Sequence, residues 1–175
     1  MVTLKDKQFK PYISSDKILE AVKQVAKKIN SDFAGESPVF LAVLNGSFMF
    51  AADLMKEIDL NCEISFVKLA SYHGTTSSGT ITELIGLNQD LTGRTVIIIE
   101  DIVDTGNTLE KLAEILNNKK VKSFKIATAF FKPTAYTKKI KVDYVGLEIP
   151  NDFVIGYGLD YDGLGRNLKD VFVLA

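Results

Sequence analysis

The sequence has one cysteine, no tryptophan and no marked excess of charge of either sign. The single cysteine, Cys62, cannot form a disulfide within the chain, so we predict a protein of a reducing compartment and interpret Cys62 as a small buried apolar side chain. Lys and Arg number 21 against 22 Asp and Glu. No overall basic field is therefore available to hold nucleic acid, and any anion must be bound by a local set of donors.

Two kinds of apolar segment are also missing. The stretch from Met1 to Lys7 lacks the apolar region of a signal peptide, and no run approaches the length of a membrane span. With 175 residues, the chain fits one domain that buries about 70% of its unfolded surface. We therefore expect a soluble, cytoplasmic protein that does not bind a membrane.

Alternating helical and strand patterns predict an α/β fold. Apolar residues recur at helical spacing from about Ser15, over 47–58 and from Leu109 onward. Four stretches are predicted to be strands, namely 39–44, 62–70, the stretch from Val96, and 123–131, and the first of them is apolar on both faces, as is typical of a strand covered on both sides. This order predicts a doubly wound, mostly parallel sheet, in which ligands bind beyond the carboxyl ends of the strands.

The pattern changes after residue 131. Short strand-like stretches at 142–149, 153–157 and 171–174 alternate with Gly and Asp turns, and no helix is predicted between them. We predict a single domain with a core of about residues 14–131. A small C-terminal hood lobe of about residues 132–175, together with the N-terminal segment, is expected to lie beside the sheet.

The stretch "VIIIEDIVDTGNTL" joins a buried strand to three carboxylates and a helix start. Small and hydroxylated residues at 105–108 place backbone N–H groups at a helix N-terminus, which is a suitable cradle for a phosphate. The adjacent carboxylates of Glu100 and Asp101 suit sugar hydroxyls or Mg²⁺. Alternatively, these acids form a solvated strand end and Asp104 only caps the helix.

This stretch resembles the phosphoribosyl pyrophosphate motif of type I phosphoribosyltransferases. Three further segments resemble, in order, the pyrophosphate loop, the flexible closing loop and the purine-binding hood of hypoxanthine phosphoribosyltransferases: "VLNGSFMFAADL", "SYHGTTSSGTI" and "FKPTAYTKKIKVDYVGLEIPNDFVIGYGLDYDGLGRNL". The resemblance runs from about Val39 to the C-terminus. It implies the type I fold and transfer of a 5-phosphoribosyl group from phosphoribosyl pyrophosphate to hypoxanthine, and also to guanine, giving IMP or GMP and pyrophosphate.

The resemblance also implies a role for individual residues. Asp104 is the general acid/base, while Glu100 and Asp101 bind ribose and Mg²⁺ and Asp160 approaches a second Mg²⁺. The groups that bind the sugar donor and the base are assigned from the positions that match the family motifs. The 5′-phosphate is assigned to Thr105, Gly106, Asn107 and Thr108, pyrophosphate to Asn45, Gly46 and Arg166, and the purine to Lys132, Phe153 and Val154. Ser71 and Tyr72 open the loop that is expected to close over the site, and we interpret Tyr157 as a core residue.

Two positions depart from the family pattern. Asn45 stands where many relatives carry lysine, which removes a positive charge near the leaving group, and Asp152 is a second position where lysine is frequent. The sequence leaves open whether a cis peptide precedes Gly46. A homodimer or homotetramer is expected from the resemblance alone.

Two other functions stay open at this point. One is transfer to xanthine or another base. The other is a regulator that senses the sugar donor and binds nucleic acid, although the chain lacks the basic face and helix-turn-helix order that such a regulator requires.

Overall fold

The computed structural model describes residues 1–70, 82–85 and 87–175. In these residues the chain forms ten strands and three helices: β1 (Val2–Leu4), β2 (Lys7–Ile13), α1 (Ser15–Asp32), β3 (Val39–Val43), α2 (Phe48–Lys56), β4 (Glu63–Ala70), β5 (Thr82–Ile85), β6 (Thr95–Val103), α3 (Asn107–Asn118), β7 (Ser123–Phe131), β8 (Tyr144–Glu148), β9 (Val154–Ile155) and β10 (Val171–Leu174). Within these residues no helix is both long and apolar enough to cross a membrane.

The larger sheet has six strands in the order β5-β4-β3-β6-β7-β8. Five of them are parallel, and β5 pairs antiparallel with β4 at one edge. The strand order reverses between β3 and β6, since the chain extends the sheet from β3 to one side and from β6 to the other. The predicted doubly wound, mostly parallel sheet is confirmed, and its reversal point is where such sheets bind ligands.

Helices cover both faces of this sheet, which explains why β3 and β6 are apolar at every position from Val39 to Val43 and from Val96 to Ile99. On one face, Phe40 packs in a cluster with apolar residues of α1 and α2. On the other face, Leu41 packs in a second cluster with Leu109, Leu112 and Leu116 of α3. Side chains alternate between the faces of a strand, so a strand buried on both sides has no polar positions.

The second sheet is antiparallel and joins the two ends of the chain in the order β1-β2-β10-β9. Val171 of β10 pairs with Ile13 of β2, and Val173 pairs with Val154 of β9. This sheet forms the hood. The N-terminal strands were not predicted, because their short stretches of mixed polar and apolar residues have no clear period.

One part of the tail lies elsewhere than expected. The stretch 142–149 was assigned to the hood lobe, but β8 within it pairs parallel with β7 and forms an edge of the larger sheet. Tyr144 and Ile149 are buried in the same cluster as α1. The apolar face of α1 requires cover by this strand, so the core continues past residue 131.

Candidate active site

Two turns meet at the reversal point of the sheet. The first follows β3 and contains Asn45 and Gly46. The second joins the end of β6 to the start of α3 at Asn107. Because parallel neighbours bring their carboxyl ends to one edge, segments separated by more than fifty positions in sequence become adjacent there.

An open cavity of about 400 Å³ lies between these turns. It contains eight of the residues that the sequence assigned to the site: Asn45, Gly46, Glu100, Asp101, Asn107, Thr108, Asp160 and Arg166. Val43, Leu44, Leu69 and Ile102 complete its lining. The acids expected to bind the sugar, the predicted pyrophosphate loop and Arg166 are therefore brought together in one place.

Two acids line this cavity, of which Glu100 is buried and Asp101 is partly buried. They lie within β6, which continues to Val103, rather than beyond its end as the sequence suggested. Burial, and secondarily the charge of Asp101, raises the pKa of Glu100 well above its usual range. Burial likewise raises the pKa of Asp101 to about 6, although the positive charge of Arg166 opposes the change. Among the ion pairs of the described residues, neither carboxylate has a partner.

The loop after β3 packs directly on one of these acids. The peptide bond between Leu44 and Asn45 is cis. A Cβ at Gly46 would overlap the carboxylate of Asp101. Any larger residue at position 46 would thus displace that carboxylate from the cavity.

A second cavity of about 90 Å³ adjoins the first and shares Glu100, Ile102, Asn107 and Thr108 with it. The remaining lining includes Asp104, Thr105 and Gly106. Gly106 has a left-handed backbone with a φ of 86°, and α3 begins at the next residue. The first N–H groups of a helix have no partner within the helix, so this small cavity is a suitable receptor for a phosphate.

Asp104 and Lys132 form an ion pair beside the second cavity. The Lys132 Nζ lies 3.2 Å from Asp104 Oδ2, and the lysine side chain is only 8% exposed. Lys132 is therefore buried rather than solvated. Lys132 lies beside Asp104 because its backbone N–H donates to the carbonyl of Val103 at the end of β6.

Arg166 is held at the opposite side of the larger cavity by two acceptors. Its Nη2 lies 2.6 Å from Asp160 Oδ1, and its Nη1 donates to the carbonyl of Gly158 at 2.7 Å. The other carboxylate oxygen of Asp160 accepts the N–H of Gly163 at 2.7 Å. Both oxygens of Asp160 are thus occupied by protein donors in this structure.

Phe153 lies in the hood and presents a half-exposed ring, with 46% of the residue accessible. Its ring contacts those of Phe9 and Tyr161, and Lys7 Nζ lies 6.0 Å from its centroid. The neighbouring Val154 is buried. Phe153 and Val154 line neither of the two cavities described above. The contacts of Phe9 and Lys7 with the Phe153 ring were not predicted, because no motif in the N-terminal sequence indicates a neighbour of Phe153.

The remaining site predictions concern other parts of the chain. Ser71 and Tyr72, which open the predicted closing loop, lie outside the described residues. Cys62 is partly buried and packs against the core, and burial raises the pKa of its thiol, as expected for an inert side chain. The described residues contain no ready-made cluster of three His, Cys, Asp or Glu side chains for a metal.

Comparisons with known proteins agree with this geometry. A family model described as the phosphoribosyl transferase domain matches residues 13–162. A hypoxanthine-guanine phosphoribosyltransferase of Streptococcus pneumoniae is 43% identical over 166 residues, covering 94% of this chain and 92% of the relative. Among solved structures, a hypoxanthine-guanine phosphoribosyltransferase of Bacillus anthracis has a TM-score of 0.89 and 36% identity, covering 97% of this chain and 100% of that chain. A hypoxanthine phosphoribosyltransferase of Staphylococcus aureus has a TM-score of 0.89 and 37% identity, covering 97% of this chain and 92% of that chain.

Proposed function

This chain belongs to the phosphoribosyl transferase domain family, and from that premise we propose how its site works. It is a purine salvage enzyme that transfers a 5-phosphoribosyl group from phosphoribosyl pyrophosphate to hypoxanthine and guanine. Relatives with over nine-tenths coverage carry the name of this activity. The alternative of a nucleic-acid-binding regulator is not favoured, since those relatives are enzymes.

The observation that carries the proposal is the pair of adjoining cavities around β6. The smaller cavity fits the 5′-phosphate at the start of α3, and the larger one fits ribose and pyrophosphate between Glu100, Asp101 and Arg166. Arg166 suits the departing pyrophosphate, because a guanidinium donates several hydrogen bonds in one plane. The Asn45–Gly46 loop contributes backbone groups on the same side, in place of the lysine charge that the family pattern places there.

The base is expected to lie between the hood and the Asp104–Lys132 pair. The half-exposed ring of Phe153 offers an apolar face for stacking. The ammonium of Lys132 donates to the oxygen on carbon six of the purine, and backbone groups near Val154 meet the purine edge. Asp104 lies beside Lys132, where it can accept the ring proton as the purine nitrogen attacks the anomeric carbon.

The acids of the larger cavity fit Mg²⁺. Glu100 is a buried carboxylate and Asp101 a partly buried one, neither has an ion-pair partner in the described residues, and a hard cation with oxygen ligands would offset their repulsion. Mg²⁺ is usually held by one or two carboxylates together with substrate phosphates, so a complete protein cage is not needed. When bound, the ion neutralises charge on the leaving pyrophosphate. Asp160, whose oxygens already accept from Arg166 and Gly163, would approach a second ion largely through water.

The activity is tested by measuring pyrophosphate release with Mg²⁺, phosphoribosyl pyrophosphate and a panel of purine bases. We expect release with hypoxanthine and guanine and negligible release with adenine. Release with xanthine alone would identify a different base specificity on the same site. Absence of release with every base would overturn the proposed function. Cytoplasmic location and assembly as a homodimer or homotetramer also belong to this proposal.

The raised pKa values of Glu100 and Asp101 predict that stabilisation by Mg²⁺ depends on pH. In the unfolded chain such carboxyls titrate near pH 4, whereas burial raises the pKa of Asp101 to about 6 in the folded protein. The contribution of Asp101 to stability is therefore complete below about pH 4 and is lost as the pH rises through about 6. Mg²⁺ needs the ionised carboxylates, so its stabilising effect should grow over the same interval.

Thermal unfolding with and without excess Mg²⁺ measures this effect. At about pH 8 we expect the midpoint to rise by about 2–4 °C, and at about pH 5 by much less, in line with about 1 kcal/mol of binding free energy. Glu100→Gln combined with Asp101→Asn is the control, because it keeps the shape and removes both charges. It should abolish the shift at both pH values and weaken Mg²⁺-dependent binding of the sugar donor. If Mg²⁺ raised the unfolding midpoint of the wild-type protein equally at the two pH values, the assignment of Glu100 and Asp101 to Mg²⁺ binding would be contradicted.

A further inference from the structure

Tyr157 is a buried core residue, as the sequence suggested, but its hydroxyl has a specific partner. Only 2% of the residue is exposed. Its hydroxyl donates to Asp53 Oδ2 at 2.9 Å, over a separation of 104 positions in sequence. Burial, reinforced by the charge of Asp53, raises the pKa of Tyr157 far above its usual range, so the hydroxyl is a permanent donor.

The acceptor lies on the helix that follows the pyrophosphate loop. Asp53 belongs to α2, which begins at Phe48, two residues after Gly46. The N–H of Ala51 in this helix donates to the carbonyl of Ser47, so the loop and the helix form one continuous segment. A group that holds α2 in place therefore also holds the loop.

The donor lies in the segment that holds the pyrophosphate-binding arginine. The N–H of Gly158 donates to the carbonyl of Arg166 at 3.0 Å, and Arg166 Nη1 donates back to the carbonyl of Gly158 at 2.7 Å. The N–H of Tyr157 itself donates to Leu168 at 2.7 Å. Tyr157 is thus part of the same hydrogen-bonded turn as Arg166.

The two segments touch at a point where neither has a side chain. Gly158 lies so close to Gly46 that a Cβ at position 158 would overlap the carbonyl oxygen of Gly46, and its φ of 97° also favours glycine. This backbone contact alone has no hydrogen bond to fix its register. The Tyr157–Asp53 bond is the nearest side-chain hydrogen bond, in the described part of the chain, that joins the turn to α2.

We propose that the Tyr157–Asp53 hydrogen bond positions the pyrophosphate end of the site, holding the Gly158–Arg166 turn in register with the Asn45–Gly46 loop. Tyr157 and Asp53 are positioning residues, since neither lines the cavity. The proposal rests on the function given above, because it assigns the two segments to binding of the pyrophosphate group.

The test replaces Tyr157 with phenylalanine. This change keeps the ring, which packs edge-on against Phe130 at 6.2 Å, and removes only the hydroxyl. We expect the KM for phosphoribosyl pyrophosphate to rise about tenfold, as for loss of one hydrogen bond to a charged group, with the KM for hypoxanthine within about twofold of wild type. The Kd of Mg²⁺-pyrophosphate, measured by calorimetry, should rise by a similar factor.

Variants of the acceptor test the same bond from the other side. Asp53→Ala should reproduce the tenfold rise in the KM for phosphoribosyl pyrophosphate. Asp53→Asn retains an acceptor oxygen, so its KM for the same donor should stay near the wild-type value. The double variant Tyr157→Phe with Asp53→Ala should have the same KM for phosphoribosyl pyrophosphate as Asp53→Ala alone, because the two groups share one interaction. Lys56→Gln removes the surface partner of Asp53 and should change neither KM.

The chain contains a matched control for loss of a buried tyrosine hydroxyl. Tyr144 is also buried, and its hydroxyl donates to Asp32 Oδ2 at 2.7 Å. This pair joins β8 to the end of α1, away from the carboxyl edge of the sheet. Tyr144→Phe should lower the unfolding midpoint by about as much as Tyr157→Phe and leave both KM values unchanged.

The outcomes separate positioning from stability. A tenfold rise in the donor KM in Tyr157→Phe, absent in Tyr144→Phe and Asp53→Asn, supports the proposal. Unchanged donor KM and pyrophosphate affinity in Tyr157→Phe, with only a lower unfolding midpoint, would overturn it and leave the proposed function intact. Wild-type protein without transferase activity would instead refute the function itself.

Discussion

Asp104→Asn is expected to lower kcat by about 10²–10⁴, which is the usual contribution of a positioned general acid or base. The carboxylate belongs to the lining of the smaller cavity at the start of α3, and its Oδ2 lies 3.2 Å from Lys132 Nζ. An amide of the same shape keeps hydrogen-bonding atoms there but cannot take up the purine proton. The loss should therefore fall on the chemical step.

Binding should change little in this variant. Asp104 lines the smaller cavity but is not among the buried acids of the larger one, so affinity for the sugar donor is expected to stay within a few-fold of wild type. Calorimetric titration of phosphoribosyl pyrophosphate with Mg²⁺ measures this directly. An unchanged kcat would remove the acid/base role, and a large loss of donor affinity would point to a binding role instead.

Glu110→Gln provides a matched control for the loss of one negative charge. Glu110 lies in the first turn of α3, close in sequence to Asp104, and pairs at the surface with Lys138 at 2.6 Å. Its replacement removes one charge near the phosphate cradle without touching the proposed proton acceptor. We expect kcat within about twofold of wild type, since exposed ion pairs contribute little.

The parallel sheet and most of the site could be predicted because their signals are local. A strand buried on both faces needs apolar residues at every position, as in Val39–Val43, and a phosphate cradle needs small residues at a helix start, as in Thr105–Thr108. These requirements act over fewer than ten residues. The family resemblance then supplied roles for residues such as Arg166, which no local pattern separates from a surface arginine.

The features that were missed depend on contacts between distant segments. The hood sheet pairs β2 with β10 across most of the chain, and β2, unlike the predicted strand at 171–174, has no clear period in sequence. The placement of β8 in the larger sheet depends on the apolar face of α1 that it covers. Similarly, Asp53 has the sequence context of an ordinary surface residue on a helix, and only the fold brings it to the hydroxyl of Tyr157.

We expect base selection to rest on Lys132, whose burial makes the expected effect large. Its side chain is 8% exposed and has Asp104 as its ion-pair partner. Hypoxanthine and guanine present an acceptor oxygen on carbon six, whereas adenine presents an amino group there and opposes donor to donor. Asp104 still pairs with the ammonium, but with adenine the N–H that faces carbon six meets a second donor and stays unpaired. Because such a buried mismatch is costly, a site of this kind can reject the wrong base by about 10⁴ or more.

Lys132→Gln should reduce this discrimination. The amide of glutamine can rotate to donate or to accept a hydrogen bond, so it can pair with the group on carbon six of either base. It has no positive charge to attract the 6-oxo group or the carboxylate of Asp104. We expect kcat/KM for hypoxanthine to fall by at least about tenfold and the ratio of hypoxanthine to adenine to narrow by a larger factor. The measurement is kcat/KM for both bases, in wild type and variant, with saturating sugar donor and Mg²⁺.

Loss of the ion pair to Asp104 would by itself lower turnover with any base, so the ratio between bases is the decisive quantity. An effect through Asp104 alone would reduce both values together and leave their ratio as in wild type. Lys111→Gln is the matched control, since Lys111 pairs with Glu114 within α3 and should alter neither value. Efficient use of adenine by the wild-type protein, or an unchanged ratio in Lys132→Gln, would refute recognition of the 6-oxo group by Lys132. If Lys132→Gln folds and its ratio of kcat/KM for hypoxanthine to kcat/KM for adenine is smaller than in wild type, the ammonium group of Lys132 selects the base. The end of β6 and Asp104 hold that group in place.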